Sequence, residues 1–389
     1  MKICLCCEGV CPRRHLDLEK LKQWFKENNC EIIPKTKISK ADYIIYIPCG
    51  FIYQYFNNAI KRIKQFQGLN PKLIVGGCLW DIDKESINKE FKGKYFTTKN
   101  IEKIEKFFPE FKISLGKIPD QNKMSIEDAI YWDKPFIENI STPITLTEKI
   151  KNKLNKKPKI FTIRISDGCI NNCTYCSHRK AIGNLKSKPL EEIKSEFIKG
   201  SQQEYNIFCL TGMDSANYGL DIKTTYPILI KDLIKINPKA KFILDEINPK
   251  WFIKYHNELY ILCKNKKIKL ISIPIQSGNN RILKLMNRQY NSEEVLSKIR
   301  ILRKKFPKVT IKTQLIIGFP SETEKEFQDS INFVKAGKFY SCHLHPYSEY
   351  PNLKSAKINP KIPKEIINTR IQKAIRFFKD NKIHFKAYL

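Results

Sequence analysis

The sequence predicts an α/β protein: an N-terminal parallel α/β sheet domain followed by a partial (β/α)6 barrel. Three observations predict it. Short, β-rich apolar runs alternate with longer amphipathic ones along most of the 389 residues, the pattern of parallel strands covered by helices. The alternation lapses once, over a polar, Pro-containing stretch from residue 118 to 157, and then resumes for six strand–helix units. Three cysteines crowd the loop behind the first strand of that second series, where a barrel of this kind carries its chemistry.

In residues 1–117 the strands are "KICLCC", "CEII", "DYIIYIPC" and "KLIVGGC", and the helices between them include "LDLEKLKQWFKEN" and "FIYQYFNNAIKRIKQFQ". Residues 118–157 read as a linker. In residues 158–362 the strands are "IFTIRIS", "IFCLTGM", "KFILDEI", "IKLISIPIQ", "VTIKTQLIIGF" and "YSCHLHPYS". Helical segments such as "PLEEIKSEFIKG" and "SEEVLSKIRILRKKF" separate them. Residues 363–389 read as a basic C-terminal helix running from about Pro363 to Lys386.

Hydrophobic residues make up 42% and charged residues 28%, ordinary values for a globular protein. No run of about 18 apolar residues occurs, so no membrane span is expected. The opening "MKICLCCEGV" is too brief for a signal peptide. The expected location is therefore the cytoplasm, with thiols reduced. The 13 cysteines are odd in number, so paired disulfides cannot account for all of them. Against 39 Asp+Glu stand 71 Lys+Arg, a formal net charge of +32. Such a balance attracts phosphate backbones, acidic peptides or acidic proteins; a chain dense in Lys, Ile and Asn also acquires it by composition alone. Between Pro351 and Leu389 there are ten Lys/Arg and two Asp/Glu, either a solvated helix face or a surface for a polyanion.

"RISDGCINNCTYCSHRK", Arg164 to Lys180, sets Cys169, Cys173 and Cys176 in a C-x3-C-x2-C array. A structural zinc site takes four protein ligands, and no fourth Cys or His stands at a paired spacing, although His178 is near. Iron–sulfur clusters are held by thiolates. With only three, one iron stays open to an outside ligand.

With Tyr175 before its last cysteine, this array resembles the signature of the radical S-adenosylmethionine superfamily, whose open iron chelates the amino and carboxylate groups of S-adenosylmethionine. "LTGMDSANYG" (Leu210 to Gly219), "IPIQSGNNRILKLMNRQY" (Ile273 to Tyr290), "TQLIIGFPSETEKEF" (Thr313 to Phe327) and "HPYSEYPNLKSA" (His345 to Ala356) are similar to the methylthiotransferase family within it. The resemblance implies two 4Fe–4S clusters: one on Cys169, Cys173 and Cys176, and an auxiliary one on three separated cysteines of the first domain. Cys49 and Cys78 end predicted strands, whose tips converge at the ligand crevice of such a sheet. Cys11 is the first ligand, because Asp17 and Glu19 follow it as the family's acidic residues do; Cys7 is its rival. Cys4, Cys6 and Cys7 otherwise read as small buried hydrophobes, and Cys30, Cys209, Cys263 and Cys342 as structural.

The implied reaction begins when the reduced cluster cleaves S-adenosylmethionine to a 5′-deoxyadenosyl radical, which takes hydrogen from an unactivated C–H bond. Sulfur from the auxiliary cluster and a methyl group from a second S-adenosylmethionine complete a C–S–CH3 product. Two S-adenosylmethionine molecules are consumed per product, and an electron donor such as flavodoxin or ferredoxin serves a monomer. For S-adenosylmethionine the resemblance points to Tyr175, Gly212, Asp214, Gln276, Ser277, Arg288 and Gly318. Arg288 is placed to pair the carboxylate, and Gly318 to allow close backbone approach. Ordinary strand-end and helix capping accounts for the polar members equally well. His343 and His345 alternate on the last strand and read as packing residues.

Members of the family modify a transfer-RNA adenosine or a ribosomal-protein side chain, and usually end in a TRAM β-barrel. The chain is expected to stop before that barrel, which favours a peptide or protein substrate, including a ribosomally made natural-product precursor. Transfer-RNA adenosine is the alternative, and a non-catalytic cluster-bearing electron carrier or sensor the third reading.

Overall fold

A computed structural model describes residues 1–8, 12–122 and 159–387. The first domain holds β1 (Lys2–Glu8), β2 (Glu31–Ile33), β3 (Tyr43–Pro48), β4 (Lys72–Val75) and β5 (Lys94–Tyr95). They lie in the order β2-β1-β3-β4-β5, all parallel. The order reverses between β1 and β3, and that reversal opens a crevice at their C-terminal ends. β3 reads YIIYIP without polar interruption because both of its faces are buried. Successive side chains point to opposite faces: Ile44 and Tyr46 pack with Phe56, Ala59 and Ile63 of the helix Tyr53–Gln67. Ile45 and Ile47 pack with Leu21, Trp24 and Phe25 of the helix Pro12–Glu27.

The second domain contributes β6 (Ile160–Arg164), a small antiparallel hairpin of β7 (Ser166–Asp167) and β8 (Lys186–Ser187), then β9 (Ile207–Thr211), β10 (Lys241–Leu244), β11 (Ile268–Ser272), β12 (Thr310–Ile317), β13 (Ser341–Pro346) and β14 (His384–Ala387). Seven of these form one parallel sheet, β14-β13-β12-β11-β10-β9-β6. Its core is built on Phe161, Phe197, Phe208 and Phe242 among many aliphatic residues. The helix Glu324–Ala336 starts from a capping box in which Thr323 and Glu326 satisfy each other's backbone N–H groups.

The α/β class and the partial barrel are as expected, and two boundaries differ. The last helix spans Lys364–Asp380 and stops short of Lys386. A left-handed Lys382, φ 55, turns the chain, and β14 pairs with β13 as a seventh strand. The alternating "HFKA" carries that signal, but four residues are too few to outweigh the helical run before them. Most of the expected linker lies outside the described residues. Its start is no loose tether: Ile118 and Asn122 are buried, and Asp120 joins Lys20 and Lys188 at 3.0 and 2.7 Å. No helix among the described residues is long and apolar enough to cross a membrane.

Candidate active site

One cavity of about 210 Å³ lies where the two domains meet. The first domain lines it with Arg13, Cys49, Phe51, Ile52 and Tyr55, and the barrel with Cys169, Cys173, Cys176 and the strand ends facing them.

The loop carrying the three thiols is shaped by Gly168. Its φ of 72° is left-handed, and a Cβ there would stand 1.7 Å from the Asn184 carbonyl oxygen, so only glycine fits. The Asn171 backbone N–H and Nδ2 donate to Cys169 Sγ at 3.4 and 3.2 Å. Arg288 Nη1 lies 3.6 Å from Cys173 Sγ, and Arg288 Nη2 donates to the Pro274 carbonyl at 2.6 Å. Burial pushes the Cys169 thiol up, and the Cys176 thiol up to about 12. Thiols so placed ionise only beside a strong cation, while the donors around them suit thiolate sulfur. Among the described residues no three His, Cys, Asp or Glu side chains converge on a single metal ion. Three thiols on one cavity wall fit an iron–sulfur cluster that keeps one iron open to an outside ligand.

Asp214 lines the same wall but acts through its neighbour. Its carboxylate accepts from Asn171 Nδ2 at 2.7 Å, Trp251 Nε1 at 3.1 Å and the Asn248 N–H at 3.2 Å, fixing the side chain that bonds Cys169. Burial pushes its carboxyl up to about 6. Tyr175, Gln276 and Arg288 also face the cavity. Gly212, Ser277 and Gly318 are placed behind the wall, in packing. The Gly212 carbonyl accepts from Arg13 Nη1 at 3.0 Å. Ser277 Oγ lies 3.2 Å from Ser330 Oγ and accepts from the Asn279 N–H at 3.2 Å. At Gly318, φ 78°, a Cβ would come within 2.3 Å of Ile367 on the last helix.

Cys49 follows β3 and lines the cavity; its Sγ accepts from the Phe51 N–H at 3.4 Å. Cys78 follows β4, is 4% exposed and lies 3.4 Å from Thr98 Oγ1. Cys11 lies outside the described residues. Cys4 and Cys6 are buried with the aliphatic core, as are Cys30, Cys209, Cys263 and Cys342.

Four side chains take parts that sequence reasoning did not give them. Phe51 is 38% exposed on the cavity wall. The His178 ring stacks on it at 5.0 Å and 29°, and His345 meets it edge-on at 5.4 Å. Burial holds both histidines near 3, so both are neutral. Arg13 crosses the domain boundary to stand 3.6 Å from Asp245. The only sequence trace of Phe51 is an apolar residue two places after Cys49; Arg13 leaves none.

A parallel sheet with a three-thiol loop behind its first strand defines the radical S-adenosylmethionine class, here faced by a second cysteine-bearing domain. Residues 163–334 match the radical SAM superfamily, and residues 8–97 match a family described as uncharacterized protein family UPF0004. The chain is 32% identical over 365 residues to the ribosomal protein uS12 methylthiotransferase RimO of Caldicellulosiruptor saccharolyticus, covering 87% of this chain and 74% of that protein. It is 27% identical over 348 residues to a probable threonylcarbamoyladenosine tRNA methylthiotransferase of Pyrococcus horikoshii, covering 89% and 77%. The chain thus belongs to the radical S-adenosylmethionine methylthiotransferase family and is an enzyme of methylthio transfer. Among solved structures, the radical S-adenosylmethionine methyltransferase TsrM of Kitasatospora setae shares the fold, with a TM-score of 0.59 at 12% identity over 91% of this chain and 76% of that one.

Proposed function

We propose that this enzyme methylthiolates an adenosine of transfer RNA. The observation that carries this reading is the exposed Phe51 ring, backed by His178, on the wall of the cavity that Cys49 shares with Cys169, Cys173 and Cys176. Single-stranded bases are recognised by stacking on such rings, at about 1–3 kcal/mol per base. The net charge of +32 supplies the phosphate attraction such a substrate needs. The relatives' names speak of transfer RNA or uS12, and neither supports a natural-product precursor as the peptide or protein substrate that the sequence favours. A side chain of uS12 is the second reading, supported by the 32% identity to a uS12 enzyme.

Cys169, Cys173 and Cys176 would hold a 4Fe–4S cluster, which would supply the electron that splits S-adenosylmethionine, and Cys49, Cys78 and Cys11 would hold one that would supply the sulfur. The chain's own residues provide the rest. The Asn171 donors and the Arg288 guanidinium stabilise negative charge on Cys169 and Cys173. Asp214 keeps Asn171 in place. Ile52, Tyr175, Ile182 and Ile316 line the cavity with apolar surface that excludes water from the reacting carbon. Phe51 orients the base. Two S-adenosylmethionine molecules are used per product, and a small redox protein such as flavodoxin or ferredoxin feeds a monomer.

The test is mass spectrometry of transfer-RNA nucleosides and of uS12 from cells with and without the enzyme. A gain of about 46 Da on an adenosine is expected, from a hydrogen replaced by SCH3. The same gain on uS12, with none on RNA, overturns the first reading in favour of the second.

A further inference from the structure

The cavity also holds an acidic pair, Asp245 and Glu246, that neither the thiols nor the aromatic platform employs. Consecutive side chains leaving a strand ordinarily point to opposite faces. Beyond the end of β10, Glu246 adopts a left-handed backbone, φ 50°, a strained conformation for a non-glycine residue. Both carboxyls consequently line one cavity. Asp245, 1% exposed, accepts from the Thr211 hydroxyl at 2.7 Å, and its Oδ1 is buried without a hydrogen-bond partner among the described residues. Glu246 accepts from Gln314 Nε2 at 2.7 Å and from Ser272 Oγ at 3.4 Å, both on Oε1. Among the described residues that leaves Oε2 as the oxygen available to a ligand. Gln276, also left-handed at φ 66°, faces the same space from beyond the end of the neighbouring strand β11, and its backbone is fastened to β12 at 2.9 Å on both sides. Strain of this kind, held at two converging strand ends, marks a surface shaped for a ligand.

We propose that Glu246 determines specificity by reading the exocyclic amino edge of the adenine brought to this cavity, with the Gln276 and Gln314 amides beside it. The proposal rests on the RNA reading above. A carboxylate accepts from an exocyclic amine, and side-chain amides pair with the adenine edge. A site built around such a bond rejects an analogue that lacks the donor. Hypoxanthine is that analogue, since its oxygen would face the carboxylate with no hydrogen between them. Above pH 7 the contrast is sharpest, because the Glu246 carboxyl, pushed up to about 7 by burial and by Asp245, is then ionised. S-adenosylmethionine carries the same edge on its own adenine, so the experiment must separate the two sources.

Oligoadenylate and oligoinosinate of equal length are titrated into the cluster-loaded protein above pH 7, and S-adenosylmethionine binding is measured in parallel by equilibrium dialysis. Wild type should prefer oligoadenylate about tenfold. Glu246→Gln should bring that preference within about threefold and leave S-adenosylmethionine affinity unchanged. Retained preference in Glu246→Gln overturns the proposal. So does a fall in S-adenosylmethionine affinity with preference intact, which assigns the carboxyl to the cosubstrate. Equal wild-type binding of the two oligomers removes the specificity role but keeps the RNA reading, whereas binding of neither removes both. Should Glu246→Gln fail to fold, Gln314→Met takes away the partner of Glu246 without touching its carboxyl. The preference must then fall at least threefold, by the same hydrogen-bond reasoning, or the proposal fails.

Discussion

Arg13→Met tests how the two domains are joined. The guanidinium reaches from the first helix of one domain to within 3.6 Å of Asp245 in the other, with side chains 10% and 2% exposed. Removing one partner of a buried pair strands the other's charge, at about 3–5 kcal/mol. The Thr211 hydroxyl still donates to Asp245, a bond worth about 1 kcal/mol. The lower end of the range, about 3 kcal/mol, is therefore expected. The loss should depend on pH. Burial already pushes the Asp245 carboxyl up although Arg13 opposes it, and without Arg13 it rises further. The native state then binds a proton that the unfolded chain releases, so stability falls as pH rises through the folded-state pKa. Urea denaturation followed by tryptophan fluorescence should show the full loss near pH 8 and a smaller one near pH 5. Arg13→Met combined with Asp245→Leu should recover most of it, because a buried pair is replaceable by apolar groups. A loss under about 1 kcal/mol at the higher pH, or equal losses at both, would refute the reasoning.

Changing Cys169, Cys173 and Cys176 together to Ala should lower iron from about eight to about four per chain, and a wild-type protein reconstituting with only about four would contradict the second cluster. Arg288→Gln removes a positive charge 3.6 Å from Cys173 Sγ, so the cluster's reduction potential should become more negative; a midpoint unchanged in an EPR-monitored titration would dissociate the two. Phe51→Ala should weaken single-stranded RNA binding about tenfold while Phe51→Trp preserves it, as fluorescence anisotropy would report. Gly168→Ala must move the Asn184 carbonyl out of the path of its Cβ, so it should reduce iron incorporation at the radical site while the auxiliary cluster's absorbance persists.

The site was legible where chemistry depends on local spacing or on strand ends. The C-x3-C-x2-C loop declared by its spacing the three thiols that stand on the cavity wall. Cys49 could be placed because its strand, "DYIIYIPC", is apolar enough to be buried on both faces, and ligands gather at the tips of such strands. Gly212, Ser277 and Gly318 matched motifs, yet their surroundings are those of packing: Gly318 is explained by Ile367, almost fifty residues away in the chain. Arg13 was unreadable for the converse reason. Nothing next to it in sequence predicts that a helix of one domain will deliver a guanidinium to Asp245 in another. Glu246 was hidden by its backbone, since glutamate carries no preference for the left-handed region that would announce a turn there. His178 was weighed only as a metal ligand, whereas the structure uses its ring as the backing of Phe51.

The loops that shelter Cys49 and Cys78 have an order in time as well as in space. The Tyr350 hydroxyl donates to the Gly50 carbonyl at 2.7 Å, across 300 positions of the chain, and Asn352 Nδ2 donates to the Ile82 carbonyl at 2.8 Å, across 270. During synthesis the strand tips bearing Cys49 and Cys78 leave the ribosome long before these covers exist. At about 5–20 residues per second the interval is roughly 15–60 s. For that time the cysteine pair of the nascent domain lacks the cover that Tyr350 and Asn352 give its loops in the finished protein.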